Sequence, residues 1–222
     1  MSDITIVCTT LNKLPKKWQR FYKKMLLEAA QGAPIITLSK KPMDWGLNVI
    51  QTEPESLTNI YWQMLKGAKL AKTPYIGIAE DDTAYHKSHF KFRPPLDTTA
   101  CNCNRWVIPT HRNTKFYFYK NRPANSVAIA PRKIFIEALE ERFKKFPVFP
   151  CPIDPVDNLK EKRFGLKRRK YMKFCTVVPV INLYHAYSYN PAERHGHKTI
   201  HNVRAYDLPY WGNVNNFIKN YE

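Results

Sequence analysis

Residues 73–85 have the sequence TPYIGIAEDDTAY, and the fold that we predict for the chain depends chiefly on this stretch. Its apolar run, residues 75–79, has the length and composition of a fully buried strand. The run leads directly into three carboxylates, Glu80, Asp81 and Asp82, which we call the acidic triplet. Acidic side chains that follow a buried parallel strand are expected at the edge where open α/β sheets bind their ligands.

Strand and helix signals alternate in the part of the chain that precedes this strand. Apolar runs predict strands, apolar residues at helical spacing predict helices, and Ser56 is suited to cap the second helix. The alternation predicts an α/β fold with a mostly parallel, doubly wound (Rossmann-like) sheet and helices on both faces. The predicted strands are residues 4–9, 35–38, 48–51 and 75–79, and the predicted helices are residues 18–30 and 56–71.

The second half of the chain is less regular. A helix is expected from Pro131, a residue favoured in the first turn, and another after Asp154, which can cap it. The tail from Asn190 is polar and basic, and we expect a loop or a lid there. The predicted strands are residues 106–109, 116–119, 126–130 and 176–184, and the longer helix covers residues 131–143.

Composition excludes several classes of protein. Hydrophobic residues make up 44% of the chain and aromatic residues 14%, which suffices for a core and excludes a disordered chain. No apolar run approaches the roughly 18 residues of a membrane span, and the N-terminus lacks the features of a signal peptide. The five cysteines are odd in number and irregularly spaced, so we expect free thiols and a reducing cytoplasm, that of the host if the protein is viral.

The chain is strongly basic. It has 36 Lys and Arg residues against 18 Asp and Glu residues, which gives a formal net charge of +18. A charge of this size attracts polyanions through long-range attraction and through release of their counterions. Nucleic acid is the first expected partner and an anionic membrane surface the second, and a surplus that serves only solubility is the alternative.

The acidic triplet has a chemical interpretation in such a basic chain. Clustered like charges repel, and a cation or a cationic partner makes them tolerable. Carboxylate oxygens suit Mg²⁺ or Mn²⁺, which proteins commonly hold together with the phosphates of a substrate. The alternative is an ordinary acidic loop that nearby lysines neutralise.

Segments on both sides of the triplet resemble a known family. Residues 73–85 are similar to the strand and DxD-type motif of GT-A glycosyltransferases, closest to family 2. Residues 4–13 (ITIVCTTLNK) resemble the first strand and nucleotide-contacting loop of that fold, and residues 59–71 resemble the helix before the motif. The resemblance implies a single GT-A-like domain with a nucleotide-sugar-binding half at residues 1–90, an acceptor-binding half at residues 91–190 and a basic tail or lid at residues 191–222.

The resemblance also implies roles for residues of the first half. Asp82 occupies the position of the metal ligand, for Mn²⁺ or Mg²⁺. Glu80 stands where the family usually has Asp, at the ribose, a metal-bound water or the metal, and Asp81 occupies the variable middle position. The residues expected around the nucleoside of a UDP-sugar are Thr9, Thr10 and Leu11 at the base and Ser39 beside the base or ribose.

In the second half, the resemblance implies a catalytic base and further ligands. Asp154 has the spacing of the family's catalytic Asp, and Asp157 is the second choice, although a plain N-cap is the alternative for Asp154. His185 follows an apolar strand where similar enzymes have a metal-binding His, and a hydrogen-bonding role is the alternative. Arg194 and Lys198 would neutralise the departing diphosphate, unless the tail is simply solvated.

Two basic stretches are rich in aromatic residues, a composition typical of nucleic-acid surfaces. Residues 111–122 contain Arg112 and Lys115, although Phe116 and Phe118 also fit a core strand. The second stretch, residues 160–173, contains the cluster Lys167, Arg168, Arg169 and Lys170.

Together these features predict a glycosyltransferase that adds a sugar to double-stranded DNA carrying 5-hydroxymethylpyrimidines, as enzymes of some bacterial viruses do. The base would leave the stack to reach the donor. Three alternatives stay open: a transferase for a saccharide, lipid-linked or protein acceptor; a non-catalytic nucleic-acid-binding protein; and a nuclease that uses the triplet for two metals.

Overall fold

The computed structural model describes residues 2–110, 112–113, 115–146, 165–185, 187 and 203–222. The strands among them are β1 (Ile4–Thr10), β2 (Ile35–Ser39), β3 (Leu47–Ile50), β4 (Tyr75–Glu80), β5 (Thr83–Ala84), β6 (Thr98–Asn102), β7 (Arg105–Pro109), β8 (Tyr117–Tyr119), β9 (Ala128–Pro131), β10 (Lys170–Phe174), β11 (Val180–Tyr184), β12 (Arg204–Ala205), β13 (Asp207–Leu208) and β14 (Gly212–Asn213). The helices are α1 (Lys16–Ala30), α2 (Leu57–Leu70), α3 (Arg132–Lys145) and α4 (Val214–Ile218), with 3₁₀ turns at His89–Lys91 and Asn125–Val127.

The central sheet has seven strands in the described residues, in the order β10-β6-β9-β4-β1-β2-β3. Strands β1 to β4 are parallel, and β9 is antiparallel to both of its neighbours. Right-handed crossovers that run in opposite directions along a sheet lie on opposite faces, so α1 and α2 cover different faces of this one. The predicted α/β class, with a mostly parallel sheet flanked by helices, is confirmed.

A second sheet, in the order β12-β8-β7-β11-β5, lies beside the first. Strand β5 follows the acidic triplet and pairs antiparallel with β11, while β11 runs parallel to β7. Because β4 belongs to the first sheet and β5 to the second, the chain passes from one sheet to the other through Asp81 and Asp82.

Helix α2 shows how local sequence builds the first half of the fold. The hydroxyl of Ser56 accepts a hydrogen bond from the backbone N–H of Asn59 at 3.0 Å, so Ser56 is the predicted N-cap. Gly67 faces β1 so closely that a Cβ at this position would collide with the side chain of Val7. The absence of a side chain at Gly67 therefore lets the helix pack close to the sheet.

The C-terminal tail differs from its prediction. Residues 204–218 form three short strands and α4, rather than a loop. Phe217 of α4 is buried and packs its ring against Trp18 of α1 and Tyr117 of β8. Although the sequence of this segment is mostly polar, α4 has an apolar face made of Val214, Phe217 and Ile218.

Two cysteines contradict the expectation of free thiols. Cys103 and Cys175 are joined by a disulfide, with their Cα atoms 5.4 Å apart and their positions separated by 72 in the sequence. Cys8 and Cys101 are free, as predicted, and both are buried, whereas Cys151 lies outside the described residues. The inference of a reducing cytoplasm therefore loses the observation on which it rested. Within the described ranges, no helix is both long enough and apolar enough to span a membrane.

Candidate functional site

The acidic triplet lies at the topological switch point of the central sheet. From β1 the chain crosses to β2 on one side, and from β3 it crosses back over the sheet to β4 on the other. Strands β1 and β4 are neighbours, with Thr9 opposite Glu80 in the register. Open α/β sheets bind ligands in the crevice that such diverging crossovers leave at the carboxyl ends of the strands.

Asp81 is bound to the loop that follows β1. Its carboxylate accepts a short hydrogen bond from the hydroxyl of Thr10, which itself accepts one from the backbone N–H of Asn12 at 2.9 Å. The indole N–H of Trp18 donates to the backbone carbonyl of Asp81 at 2.6 Å. These bonds hold the triplet and the predicted nucleotide-contacting loop against each other.

Asp82 faces the end of β11. Its Oδ1 accepts a hydrogen bond from the Thr83 hydroxyl at 2.8 Å, and its Oδ2 lies 3.6 Å from Nε2 of His185. The backbone N–H of Leu183 donates to the carbonyl of Asp82 at 2.8 Å. The structure therefore brings together two predicted metal ligands that are far apart in the sequence.

The triplet is electrostatically crowded. Burial, and after it the charges of Asp82 and Asp81, raise the pKa of Glu80 to about 8, against an opposing effect of Arg105. Burial likewise raises the pKa of Asp81 to about 7. Both shifts favour the neutral carboxyl groups, so a further positive charge at close range would stabilise their ionised forms.

A divalent cation would supply that charge. The oxygen donors of the triplet and the His185 imidazole suit Mn²⁺ or Mg²⁺. In the described part of the chain, no group of three or more His, Cys, Asp or Glu side chains forms a complete metal cage. A pair of protein ligands is nevertheless compatible with these ions, because they commonly complete their shell with substrate phosphates and water.

The residues predicted around the nucleoside lie at or just after the carboxyl ends of β1 and β2, and they are largely buried. Thr9 is 8% exposed and Thr10 6%, and Leu11 is half-buried. Ser39 is fully buried; its hydroxyl donates to the carbonyl of Lys41 at 2.7 Å and accepts from the Asn48 amide at 2.8 Å. The Ser39 hydroxyl is therefore used within the fold, and its role in nucleoside binding stays a prediction.

Four predicted residues of the second half lie outside the described residues. They are the candidate bases Asp154 and Asp157 and the candidate diphosphate ligands Arg194 and Lys198. Their roles stay predictions.

The predicted nucleic-acid cluster is divided between free surface and ion pairs. Lys167 and Arg168 are exposed. Arg169 is half-buried and pairs with Glu141 at 2.7 Å, and Lys170 pairs with Asp97. Because two of the four cations have acidic partners, Lys167 and Arg168 are the members best placed to meet a phosphate backbone.

Lys115, in the first basic stretch, has a structural role, while nucleic-acid binding by Arg112 stays a prediction. The ammonium of Lys115 donates to the backbone carbonyls of Thr110 and Arg112, each at 2.6 Å, and thereby closes a turn. Phe116 and Phe118 are buried beside Val107, as the core-strand interpretation predicts.

Sequence reasoning missed a buried polar group beside the triplet. Arg105, Lys120 and Asn182 are each at most 8% exposed, and the Arg105 guanidinium donates to the Asn182 carbonyl oxygen at 3.1 Å. Burial, with the nearby Arg105 and Arg122, lowers the pKa of Lys120 to about 7. Asn182 in the middle of an otherwise apolar strand was the signal that could have revealed this group.

No protein-family profile matches the chain, and no curated protein matches it in sequence. Three solved structures with a similar fold are named as transferases. The chain is similar to a glycosyltransferase involved in the glycosylation of the major capsid of PBCV-1, with 12% identity, a TM-score of 0.51, and coverage of 87% of this chain and 97% of that one. It is also similar to the inositol-1-phosphate CTP transferase from T. maritima, with 13% identity, a TM-score of 0.50, and coverage of 87% and 94%.

A third similar structure is the mannosyltransferase PcManGT from Pyrobaculum calidifontis in complex with GDP-Man and Mn²⁺, with 11% identity, a TM-score of 0.49, and coverage of 84% of this chain and 58% of that one. The first two similarities show that the chain has a GT-A-like α/β fold, which occurs in glycosyltransferases and nucleotidyltransferases alike.

Proposed function

We propose that the protein is a metal-dependent glycosyltransferase that moves a sugar from a UDP-sugar to a hydroxyl acceptor. The observation that carries the proposal is the acidic triplet at the switch point of the sheet, with Asp82 facing His185 at 3.6 Å. A nucleotide sugar needs a site that accepts its diphosphate, and carboxylates accept a diphosphate only together with a cation.

The residues divide into three roles. Asp82 and His185, with Glu80 beside them, would hold Mn²⁺ or Mg²⁺, which would neutralise the charge of the leaving diphosphate when bound. Asp81 and Thr10 fix the loop that meets the nucleoside, through their mutual hydrogen bond. The remaining roles, which rest on the resemblance to family 2, belong to Thr9, Leu11 and Ser39 at the nucleoside and to Arg194 and Lys198 at the diphosphate.

A carboxylate must also accept the proton of the acceptor hydroxyl, because a neutral hydroxyl is a poor nucleophile. Asp154 is the first choice and Asp157 the second, from their spacing in the sequence. With one of them as the base, the sugar would be transferred in a single displacement with inversion.

For the acceptor we propose DNA that carries a 5-hydroxymethylpyrimidine. The support is electrostatic: the net charge of +18 favours a polyanion, and Lys167 and Arg168 are exposed. The target base would have to leave the helix to reach a site as enclosed as the triplet.

The test incubates the protein with a panel of UDP-sugars and Mn²⁺. The acceptors are DNA with 5-hydroxymethylcytosine, DNA with 5-hydroxymethyluracil and unmodified DNA, and the product is read by nucleoside mass spectrometry. A sugar mass on the modified nucleoside alone is the expected result. Metal-dependent UDP release without transfer would keep the glycosyltransferase and discard the DNA acceptor.

A parallel reaction addresses nucleotidyl transfer, which the same fold also supports. CTP or UTP is supplied with sugar phosphates, and pyrophosphate release is measured. Pyrophosphate release without any sugar transfer would replace the glycosyltransferase with a nucleotidyltransferase. Tight DNA binding without either reaction would indicate a binding protein.

A further inference from the structure

A continuous chain of hydrogen bonds leads from the second sheet to the acidic triplet. The Arg105 guanidinium donates from NH1 to Oδ1 of Asn182 at 3.1 Å. Nδ2 of Asn182 donates a short hydrogen bond to the hydroxyl of Thr83, and that hydroxyl donates to Oδ1 of Asp82 at 2.8 Å. Three consecutive bonds therefore connect Arg105 to a carboxylate oxygen of Asp82.

The direction of every bond in this chain follows from Arg105. A guanidinium can only donate, so the Asn182 carbonyl oxygen must face it, and the Asn182 amino group must face Thr83. The Thr83 oxygen then accepts from Asn182, which leaves its hydrogen for Asp82. Without a donor at position 105, the Asn182 amide could turn over, and Thr83 would no longer be committed to donate to Asp82.

The members of this chain are enclosed. Arg105 and Asn182 are each 4% exposed, and Thr83 is fully buried. In the described residues, Arg105 donates hydrogen bonds to Asn182 and to the Arg122 carbonyl, neither of which is a carboxylate. Burying a guanidinium that has no hydrogen-bonded carboxylate costs free energy of folding, so we expect Arg105 to have a role that offsets this cost.

The consequence for Asp82 is geometric. Its Oδ1 is held by Thr83, and its Oδ2 is the oxygen that lies 3.6 Å from His185. Metal-binding carboxylates depend on such supporting hydrogen bonds, because these orient the ligand before the metal arrives.

We propose that Arg105 is a positioning residue that, through Asn182 and Thr83, fixes one oxygen of Asp82 and leaves the other to bind a divalent cation with His185. This proposal rests on the proposed function, since it assumes a cation at Asp82. It adds a support for the metal site that comes from outside the triplet and from a different sheet.

The test measures Mn²⁺ affinity rather than turnover. Mn²⁺ is titrated into the protein with saturating UDP, and the signal of free Mn²⁺ is followed by electron paramagnetic resonance. Thr83→Val keeps the shape of the side chain but removes the hydroxyl, and Thr83→Ser restores it. Thr5→Val is the matched control, because Thr5 is a buried strand residue whose hydroxyl bonds to Thr73 at 2.7 Å.

We expect Thr83→Val to weaken Mn²⁺ binding about 10-fold or more, in the range measured for lost supporting bonds. Thr83→Ser should recover most of the affinity, and Thr5→Val should match the wild type. A wild-type affinity in a folded Thr83→Val protein, or an equal loss in Thr83→Ser, would overturn the role of the hydroxyl chain.

Two further variants complete the test. Arg105→Met should weaken Mn²⁺ binding as Thr83→Val does, and the double variant should be no weaker than either single one, since both interrupt one chain. Additive losses would overturn the proposal, and if Arg105→Met does not fold, the Thr83 pair decides. Asp82→Ala distinguishes failure of the metal site from failure of the hydrogen-bond chain. An unchanged Mn²⁺ affinity in Asp82→Ala would refute the metal site itself. A loss in Asp82→Ala with no loss in Thr83→Val would refute only the role of the hydrogen-bond chain.

Discussion

Asp82 is the residue whose loss separates a transferase from a protein that only binds nucleic acid. We expect Asp82→Ala to lower sugar transfer by about 100-fold or more, because it removes the carboxylate that faces His185. DNA binding at a fixed salt concentration should persist, because the basic surface is unchanged. Asp44→Ala is the control, since Asp44 is exposed and pairs with Lys23. Full transfer by the Asp82 variant would refute the assigned metal site.

His89 makes stability depend on pH. Burial lowers the pKa of this imidazole from 6.5 to about 3. Below pH 6.5 the unfolded chain therefore binds a proton that the folded protein excludes, so stability is full above pH 6.5 and falls as the pH decreases towards 3.

At about 1.4 kcal/mol per pH unit, the wild type should lose about 2 kcal/mol through His89 between pH 7 and pH 5. His89→Phe should abolish that contribution, because a phenyl ring binds no proton. The variant should still fold, since the ring can stack on Phe174 and the Asn102 amide keeps Thr176 as a partner. Urea unfolding at the two pH values measures the difference. His86→Phe, at a less buried imidazole, should keep a pH dependence near that of the wild type, and an unchanged dependence in His89→Phe would contradict the assignment.

Local sequence patterns predict some residues of the candidate site but not others. The acidic triplet is visible because its three residues are consecutive and follow an apolar strand. The contact between Arg105 and Asn182 spans 77 residues and depends on how β7 and β11 pair, so no local pattern contains it. Asn182 indicates a buried polar contact, but only the fold supplies its partner.

Elements of the first half could be predicted because their signals are local. Helix α2 has an N-cap at Ser56 and an apolar face, and β4 is an uninterrupted apolar run. Strands β6 and β10 escaped prediction: β6 has the mixed sequence TTACN, and β10 has the basic sequence KYMKF of an edge strand. Strand β6 pairs with both β10 and β9, and β10 pairs with β6, so their strand conformation is a tertiary effect.

The packing of α2 on the sheet gives a prediction about Gly67. Gly67→Ala would place a Cβ against Val7 and 3.0 Å from the Leu38 side chain. Overpacking of this kind costs about 1–3 kcal/mol, which should exceed the ~1 kcal/mol that alanine contributes through helix propensity. We therefore expect a net loss of roughly 1 kcal/mol in urea unfolding.

The control for this prediction is a second change at the contacting residue. Val7→Ala removes the methyl groups that the new Cβ would meet. In that background, Gly67→Ala should be neutral or stabilising, because two changes in direct contact are not additive. Equal destabilisation in both backgrounds would show that the close packing of α2 and β1 is not the cause.

Across the whole molecule, some basic side chains bond to other parts of the protein, and others are exposed to solvent. Lys115 and Arg169 bond to backbone or to an acidic residue, whereas Lys167 and Arg168 are exposed at one edge of the central sheet, next to β10. The exposed lysines Lys17 and Lys24 lie on α1 instead. These two pairs of cations carry the same charge, so they can distinguish a local DNA surface from a general attraction.

If DNA binds at the edge beside β10, the double variant Lys167→Ala with Arg168→Ala should weaken DNA binding. It should also reduce the slope of log affinity against log salt by about 1–2, because a protein that makes fewer phosphate contacts releases fewer counterions on binding. The double variant Lys17→Ala with Lys24→Ala lowers the net charge equally, yet it should leave the slope near the wild-type value. Fluorescence anisotropy with labelled duplex DNA at 50 to 200 mM salt, a range set by the expected steepness, measures both. Equal effects of the two double variants would mean that DNA responds to net charge alone, and the assignment of a DNA surface to Lys167 and Arg168 would then be withdrawn.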